Sequence, residues 1–208
     1  HLARLTAHWS RVGYCQGNCN SDNCSLGGRT LDYGPFGFIE AYDPMFQMWI
    51  GGGEHFSFMN QPMAAMANFK MFCTALVPLL AHDANAVQGL GEILEAMPET
   101  MNREMHRMWA KKMGLAEFSE ELFAELHALM AETPVDYTIF WRELSSLPRH
   151  VAALRPAFYE TRGGYSQGSV AMEARWANWL QKWHAALERE GCPPAGVSEA
   201  MRRVNPKY

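Results

Sequence analysis

Apolar positions recur at helical spacing along most of this chain. Leu2, Leu5, Trp9 and Val12 make one stripe and predict a helix over residues 1–13. Gln61 to His82 predicts a second, with Pro62 suited to a first turn and Met63, Met66, Ala67, Cys73, Leu76, Val77 and Leu80 on one broad inward face. Pro78 predicts a kink or boundary near its end. Residues 84–96 and 99–113 predict two more helices parted by Pro98, and Gly114 is a stop signal. Ser119 and Asp136 are placed to cap helices running to Glu132 and Leu147. Residues 149–160 carry a weaker helical pattern interrupted by Pro156, and 162–168 read as a loop. Met172, Trp176, Trp179, Leu180 and Trp183 predict a long helix over 169–190 with an aromatic face. Cys192 to Gly196 should break it before a short helix at 198–204.

Two stretches lack this spacing. One, residues 41–60, reads as loop. The other runs from Cys15 to Phe38 and holds an adjacent Asp22-Asn23 pair, a Gly27-Gly28 turn and Asp32. Gly-Gly suits a two-residue type I′ turn, so 24–26 and 29–31 predict a small hairpin that brings Asn23 and Asp32 together. An amide oxygen beside a carboxylate is a hard-oxygen pair suited to Mg²⁺ or Mn²⁺. Asp22 can point elsewhere and accept a proton from a hydroxyl. Protein kinases use a related order of catalytic-loop Asp and Asn, hairpin, and Asp-Phe-Gly, although their Asp and Asn are not adjacent. An Asx-rich turn ahead of an ordinary hairpin explains the same residues, and spacing alone leaves both readings open.

Composition narrows the classes. A chain of 208 residues with 48% hydrophobic content can bury a sizeable core. A net charge of −4 implies no general affinity for nucleic acid or an anionic membrane. No uninterrupted apolar run of ~20 residues, the length of a bilayer-spanning helix, is visible. Arg103, Arg107, Lys111 and Lys112 form a basic face broken by Glu99 and Glu104, the pattern of a solvated helix. Gly51-Gly52-Gly53 lacks the Lys-Ser or Lys-Thr of a phosphate-binding loop, and Glu54-His55 lacks the second His of a zincin. Five cysteines without a secretory signal argue for free thiols over a disulfide scaffold. Cys15, Cys19 and Cys24 with His8 supply only half of a zinc-site spacing.

Ser21-Asp22-Asn23, the run Asp32-Tyr33-Gly34-Pro35-Phe36-Gly37-Phe38 and Ala41-Tyr42-Asp43-Pro44 resemble the selenoprotein O (YdiU) family. Asn60-Gln61-Pro62, Lys112-Met113-Gly114-Leu115, Asp136-Tyr137-Thr138 and Asn205-Pro206-Lys207-Tyr208 extend the resemblance through the chain. Members are kinase-fold pseudokinases that move AMP from ATP to protein hydroxyls. The resemblance implies a mainly α fold with a small β-hairpin, the C-terminal lobe of a protein-kinase-like domain. It implies one helical domain over 1–208, with the catalytic loop and hairpin at 15–38 and the N-terminal lobe absent. By position, Asp22 is the catalytic proton acceptor, Asn23 and Asp32 are metal ligands, and Asp32 also binds the nucleotide. ATP, Mg²⁺ or Mn²⁺, and proteins bearing Ser, Thr or Tyr hydroxyls are the implied cofactors and partners, with no nucleic acid or membrane. The location implied is the cytoplasm of a bacterium or the mitochondrion of a eukaryote. Starting at His1, the chain reads as a fragment that is inactive alone. Three features depart from the family pattern: Gln16-Gly17 replaces His-Gly, Cys24 replaces Met, and Gln47 to His55 replaces a segment richer in Asn, Asp and His.

Overall fold

The computed structural model describes residues 1–31, 34–49, 51, 53–159 and 168–207. It is mainly helical, with one two-stranded antiparallel sheet. Contacts group the chain into two compact units: 1–10, 14–38 and 44–105 form the first, and 11–13, 39–43 and 106–208 the second. Helix α1 spans Leu2–Val12, followed by strands β1 (Tyr14–Gln16) and β2 (Phe36–Phe38). Helices α2 (Gln61–Leu80), α3 (Ala84–Glu95), α4 (Met97–Lys112), α5 (Glu120–Glu132), α6 (Tyr137–Leu144), α7 (Gly168–Glu190) and α8 (Pro194–Val204) complete the order.

In the first unit, β1 and β2 pair with Tyr14 opposite Phe38, Cys15 opposite Gly37 and Gln16 opposite Phe36. This sheet was not predicted. Three-residue strands carry too little alternation to register, and they are stabilised by a remote side chain rather than by their own pattern. The outer edge of β1 is satisfied by buried Gln61, at the start of α2. Its Oε1 accepts from Gln16 N at 2.9 Å, and its Nε2 donates to Tyr14 O at 2.9 Å. A side-chain amide thus does the work of a third strand.

The expected hairpin at 24–31 shrinks to a single bridge between Cys24 and Thr30. Its turn is not type I′. Gly28 N donates to Ser25 O at 3.2 Å, and of the two glycines only Gly28 has a positive φ, +73°. A five-residue loop built on an ordinary turn and closed by a left-handed glycine needs just one such residue.

Helix α2 corrects the expected burial. Gln61, Ala64, Ala65 and Cys73 face inward, whereas Met63 is 64% and Leu79 69% exposed, and Val77 is exposed too. A helix apolar around most of its circumference has no single stripe from which to read the inner face. By length and composition, Phe58–Leu80 is apolar enough to cross a membrane, so the exclusion drawn from uninterrupted runs does not hold for it. Of the two outcomes expected for Pro78, a boundary is not seen: it lies inside the last turn of α2. Between β2 and α2, residues Glu54–Phe56 and Phe58–Asn60 form short 3₁₀ turns.

The second unit packs around Trp109, Trp141, Trp176, Trp179 and Trp183, all buried. Ser119 and Asp136 cap as expected, accepting from Leu122 N at 3.4 Å and Ile139 N at 2.8 Å. Residues 151–157 form a 3₁₀ helix where an α-helix was expected, with Pro156 inside it. Helix α8 starts at Pro194, not Ser198, because Pro193-Pro194 opens the helix rather than breaking it. The loop expected at 162–168 lies outside the described residues up to 167.

The family-like segments of this unit converge on Lys112. Its Nζ is buried, donates to Arg11 O at 2.8 Å, and lies 4.5 Å from the Trp141 ring centre and 5.1 Å from that of Tyr137. Burial, then the charge of Arg11, holds its pKa well below the usual lysine value. Asn205 Nδ2 donates to Lys112 O and to Ser145 Oγ, each at 3.0 Å. Gly114 turns at φ +73°, and a Cβ there would lie 2.7 Å from Met201 Sδ. These segments therefore serve packing around one buried lysine.

Candidate functional site

The antiparallel pair β1–β2 is the stem of a long loop, residues 17–35, within the first unit. Gly17 closes its base by donating N–H to Pro35 O at 2.8 Å. A Cβ on Gly17 would sit 2.5 Å from that oxygen, so only glycine lets the two arms meet. Trp9 Nε1 reaches across from α1 to Thr30 Oγ1 at 2.9 Å. Asn68 of α2 straps the middle of the loop. Its Nδ2 donates to Cys19 O at 2.7 Å, and its Oδ1 accepts from Ser21 Oγ at 3.2 Å.

Held this way, Ser21–Asn23 form one 3₁₀ turn, with Asn23 N donating to Asn20 O at 3.0 Å. Asp22 is exposed, and no described residue makes a hydrogen bond or ion pair with its carboxylate. Asn23 is half-buried. Its Nδ2 donates to Asn18 O at 3.0 Å, which fixes the amide and leaves Oδ1 without a hydrogen-bond partner among the described residues. The turn thus presents a free carboxylate beside an oriented amide oxygen. Both are hard donors that fit Mg²⁺ or Mn²⁺ better than a soft metal. Asp32, expected as the second ligand and the nucleotide contact, lies outside the described residues. Among those described, no group of three or more His, Cys, Asp or Glu gathers to hold a metal.

The thiols have specific partners. Cys15 Sγ lies 3.5 Å from Phe46 O and 3.4 Å from Phe56 O. The neighbouring Cys19 thiol, opposed by burial and aided by Asn68, lowers the Cys24 pKa to about 7, while the Cys24 thiol and burial raise that of Cys19. Glu54 and His55 belong to no metal-holding group among the described residues. His55 stacks on Phe56 with ring centres 4.0 Å apart and lines a cavity of about 410 Å³ with Met63, Ala67 and Asn68.

Sequence reasoning missed Gln61 as a β1 partner and Asn68 as a loop strap. Asn68 had one signal: an amide in the middle of a Met- and Ala-rich helix, on the side of Ala64 and Ala65.

The whole of this geometry falls within a match, over residues 1–208, to the family described as "Protein adenylyltransferase SelO", and the chain belongs to that family. Relatives named "Protein nucleotidyltransferase YdiU" include one from Aromatoleum aromaticum, 34% identical over 99% of this chain and 39% of its own length. One from Xanthomonas oryzae pv. oryzae is 35% identical over 99% of this chain and 40% of its own length. One from Nitrosospira multiformis is 31% identical over 98% of this chain and 41% of its own length. The chain therefore spans about two fifths of the curated relatives it matches.

Proposed function

We propose that this chain is the C-terminal-lobe part of a longer protein-kinase-like enzyme that transfers AMP from ATP to Ser, Thr or Tyr hydroxyls of proteins. The observation that carries the reading is the turn at Ser21–Asn23, where a carboxylate with no partner among the described residues and a fixed amide oxygen stand side by side on a braced loop. A stem, then the Asp-Asn turn, then a bridged hairpin is also the order found around a kinase catalytic loop.

Asp22 is the proton acceptor. The substrate hydroxyl oxygen attacks the α-phosphorus of ATP, its proton passes to the Asp22 carboxylate, and the bond to pyrophosphate breaks. Asn23 and Asp32 would hold the divalent cation, which when bound offsets the negative charge of the phosphates. Asn18 keeps the Asn23 amide oriented, and Asn68 keeps the turn in place. The remaining part of the enzyme, a β-rich lobe, supplies further phosphate contacts. The family description supports adenylyl as the group moved, whereas the relatives' names support only a nucleotidyl group.

The test uses the full-length protein with ATP and Mn²⁺, followed by intact-mass analysis of the enzyme and candidate targets. An AMP-sized increase is expected. Asp22→Ala should slow it by about 10²–10⁴-fold, the usual contribution of a positioned base, with ATP binding retained. A phosphate-sized increase, or an Asp22→Ala rate equal to that of the unsubstituted enzyme, would overturn the reading.

A further inference from the structure

Helix α2 passes the candidate loop with apolar side chains turned outward. Met71 of the helix is 60% exposed and Leu26 of the loop 42%. Together with Leu2, Phe72 and Ala75 they line a cavity of about 330 Å³. Ser21 and Cys24, which flank Asp22 and Asn23 in sequence, line it too, and so does Asn68, which accepts from Ser21 Oγ at 3.2 Å. Among the described residues no charged side chain belongs to the lining. An apolar hollow of this kind, left open to water, marks a contact site. The chain's own start leads to it. Leu2 is part of the lining, and His1 O accepts from Leu5 N at 2.9 Å. A Cβ on Gly28 would lie 2.8 Å from His1 Cβ. The backbone therefore enters α1 against the loop's glycine turn, at the edge of the cavity.

We propose that in the full-length protein the stretch immediately before His1 lies in this cavity and seats apolar side chains against Leu26 and Met71. That a chain precedes residue 1 rests on the reading above, in which a β-rich lobe comes first. The relatives, of which this chain matches about two fifths, are long enough to hold one. The wall from Asn68 to Ala75 covers two turns of α2, about 10 Å. About three extended residues cross that distance. A segment tethered to Leu2 over so short a span is present at the cavity at an effective concentration on the order of millimolar. It therefore excludes a substrate side chain or a second copy arriving from solution. Because Ser21 and Cys24 share the same wall, the seated segment ties the placement of the preceding lobe to that of the Asp22-Asn23 turn.

The test places the photo-crosslinking residue p-benzoylphenylalanine at Met71, or at Leu26, of the full-length protein and maps the products by mass spectrometry. Both positions should join, within one chain, to the peptide immediately before His1. Leu79, 69% exposed near the far end of α2 and outside the cavity, is the control and should not join to it. A product joined to a second copy, to an added substrate protein or to a distant part of the same chain overturns the proposal, as does the lack of any cross-link beyond residues 1–208. Met71→Glu sets a carboxylate on the apolar wall. Amide exchange should then quicken in the peptide before His1 and at Ser21 to Cys24, with α5 and α7 unchanged. Exchange unaltered at Ser21 to Cys24 overturns the tie to the turn. AMP transfer by the unsubstituted protein separates the two readings. The cross-link without transfer fails the active-site reading and leaves this contact standing, whereas transfer without the cross-link does the reverse.

Discussion

The imidazole of His127 faces the Tyr42 hydroxyl through Nδ1, and its buried Nε2 has no hydrogen-bond partner among the described residues. Burial first, then the nearby Lys112, pushes its pKa down to about 3. An unfolded histidine titrates near ~6.5. Between those values the unfolded chain holds a proton that the folded chain refuses. The associated stability is therefore fully present above ~6.5 and is lost as pH falls toward 3, at up to about 1.4 kcal/mol per pH unit. Urea unfolding at neutral pH and at roughly one and two units below ~6.5 should show that loss. His127→Gln keeps an acceptor for Tyr42 but does not titrate, so its stability should fall less steeply over the same interval. Equal slopes for the two proteins would remove His127 as the cause. That Asp22 and Asn23 stand side by side was legible at this scale, because it depends on residue type and adjacency alone. The burial of Lys112 was not: in sequence it belongs to a basic run, and only the fold places it between Tyr137, Trp141 and the Arg11 carbonyl.

Helix α2 determines where the candidate loop sits, through two amides in its first half. Asn68→Ala removes the donor to Cys19 O and the acceptor for Ser21 Oγ, leaving a buried carbonyl unsatisfied at a cost of about 1–3 kcal/mol. Amide hydrogen exchange should quicken at Asn20 to Asn23 more than in α5 or α7, and AMP transfer should drop without loss of the overall fold. Unchanged exchange in the loop would show that the stem alone positions it. Gln61→Leu should cost more stability, because Gln16 N and Tyr14 O both lose their partner at the buried edge of β1. Chemical denaturation compares the two variants directly. Helices α1 to α7 were largely legible in the sequence, since apolar spacing and caps such as Ser119 and Asp136 are local signals. The sheet was not, since β1 depends on a glutamine 45 positions away. The start of α8 was misread because Pro-Pro marks both the end of one helix and the first turn of another.

On the scale of the whole molecule, the chain covers about two fifths of its relatives, which are named for nucleotidyl transfer as complete proteins. In the proposed reading Asp22 is the base and Asn23 an amide ligand, but transfer also requires ATP to be held with its α-phosphorus in line. If a second lobe supplies that hold, the 208-residue chain should fold yet fail to transfer. Circular dichroism with a cooperative urea transition would establish folding. Incubation with ATP and Mn²⁺ should then leave its mass unchanged, while the full-length protein gains AMP. Asp32→Ala in the full-length protein should abolish the Mn²⁺ dependence of ATP binding, and Asn23→Ala should weaken it. Isothermal titration with and without Mn²⁺ reads both. AMP addition by the 208-residue chain at the full-length rate would show that these residues hold the nucleotide themselves. Unaltered Mn²⁺-dependent binding in Asp32→Ala would instead remove Asp32 from the metal site while leaving the role of Asp22 standing.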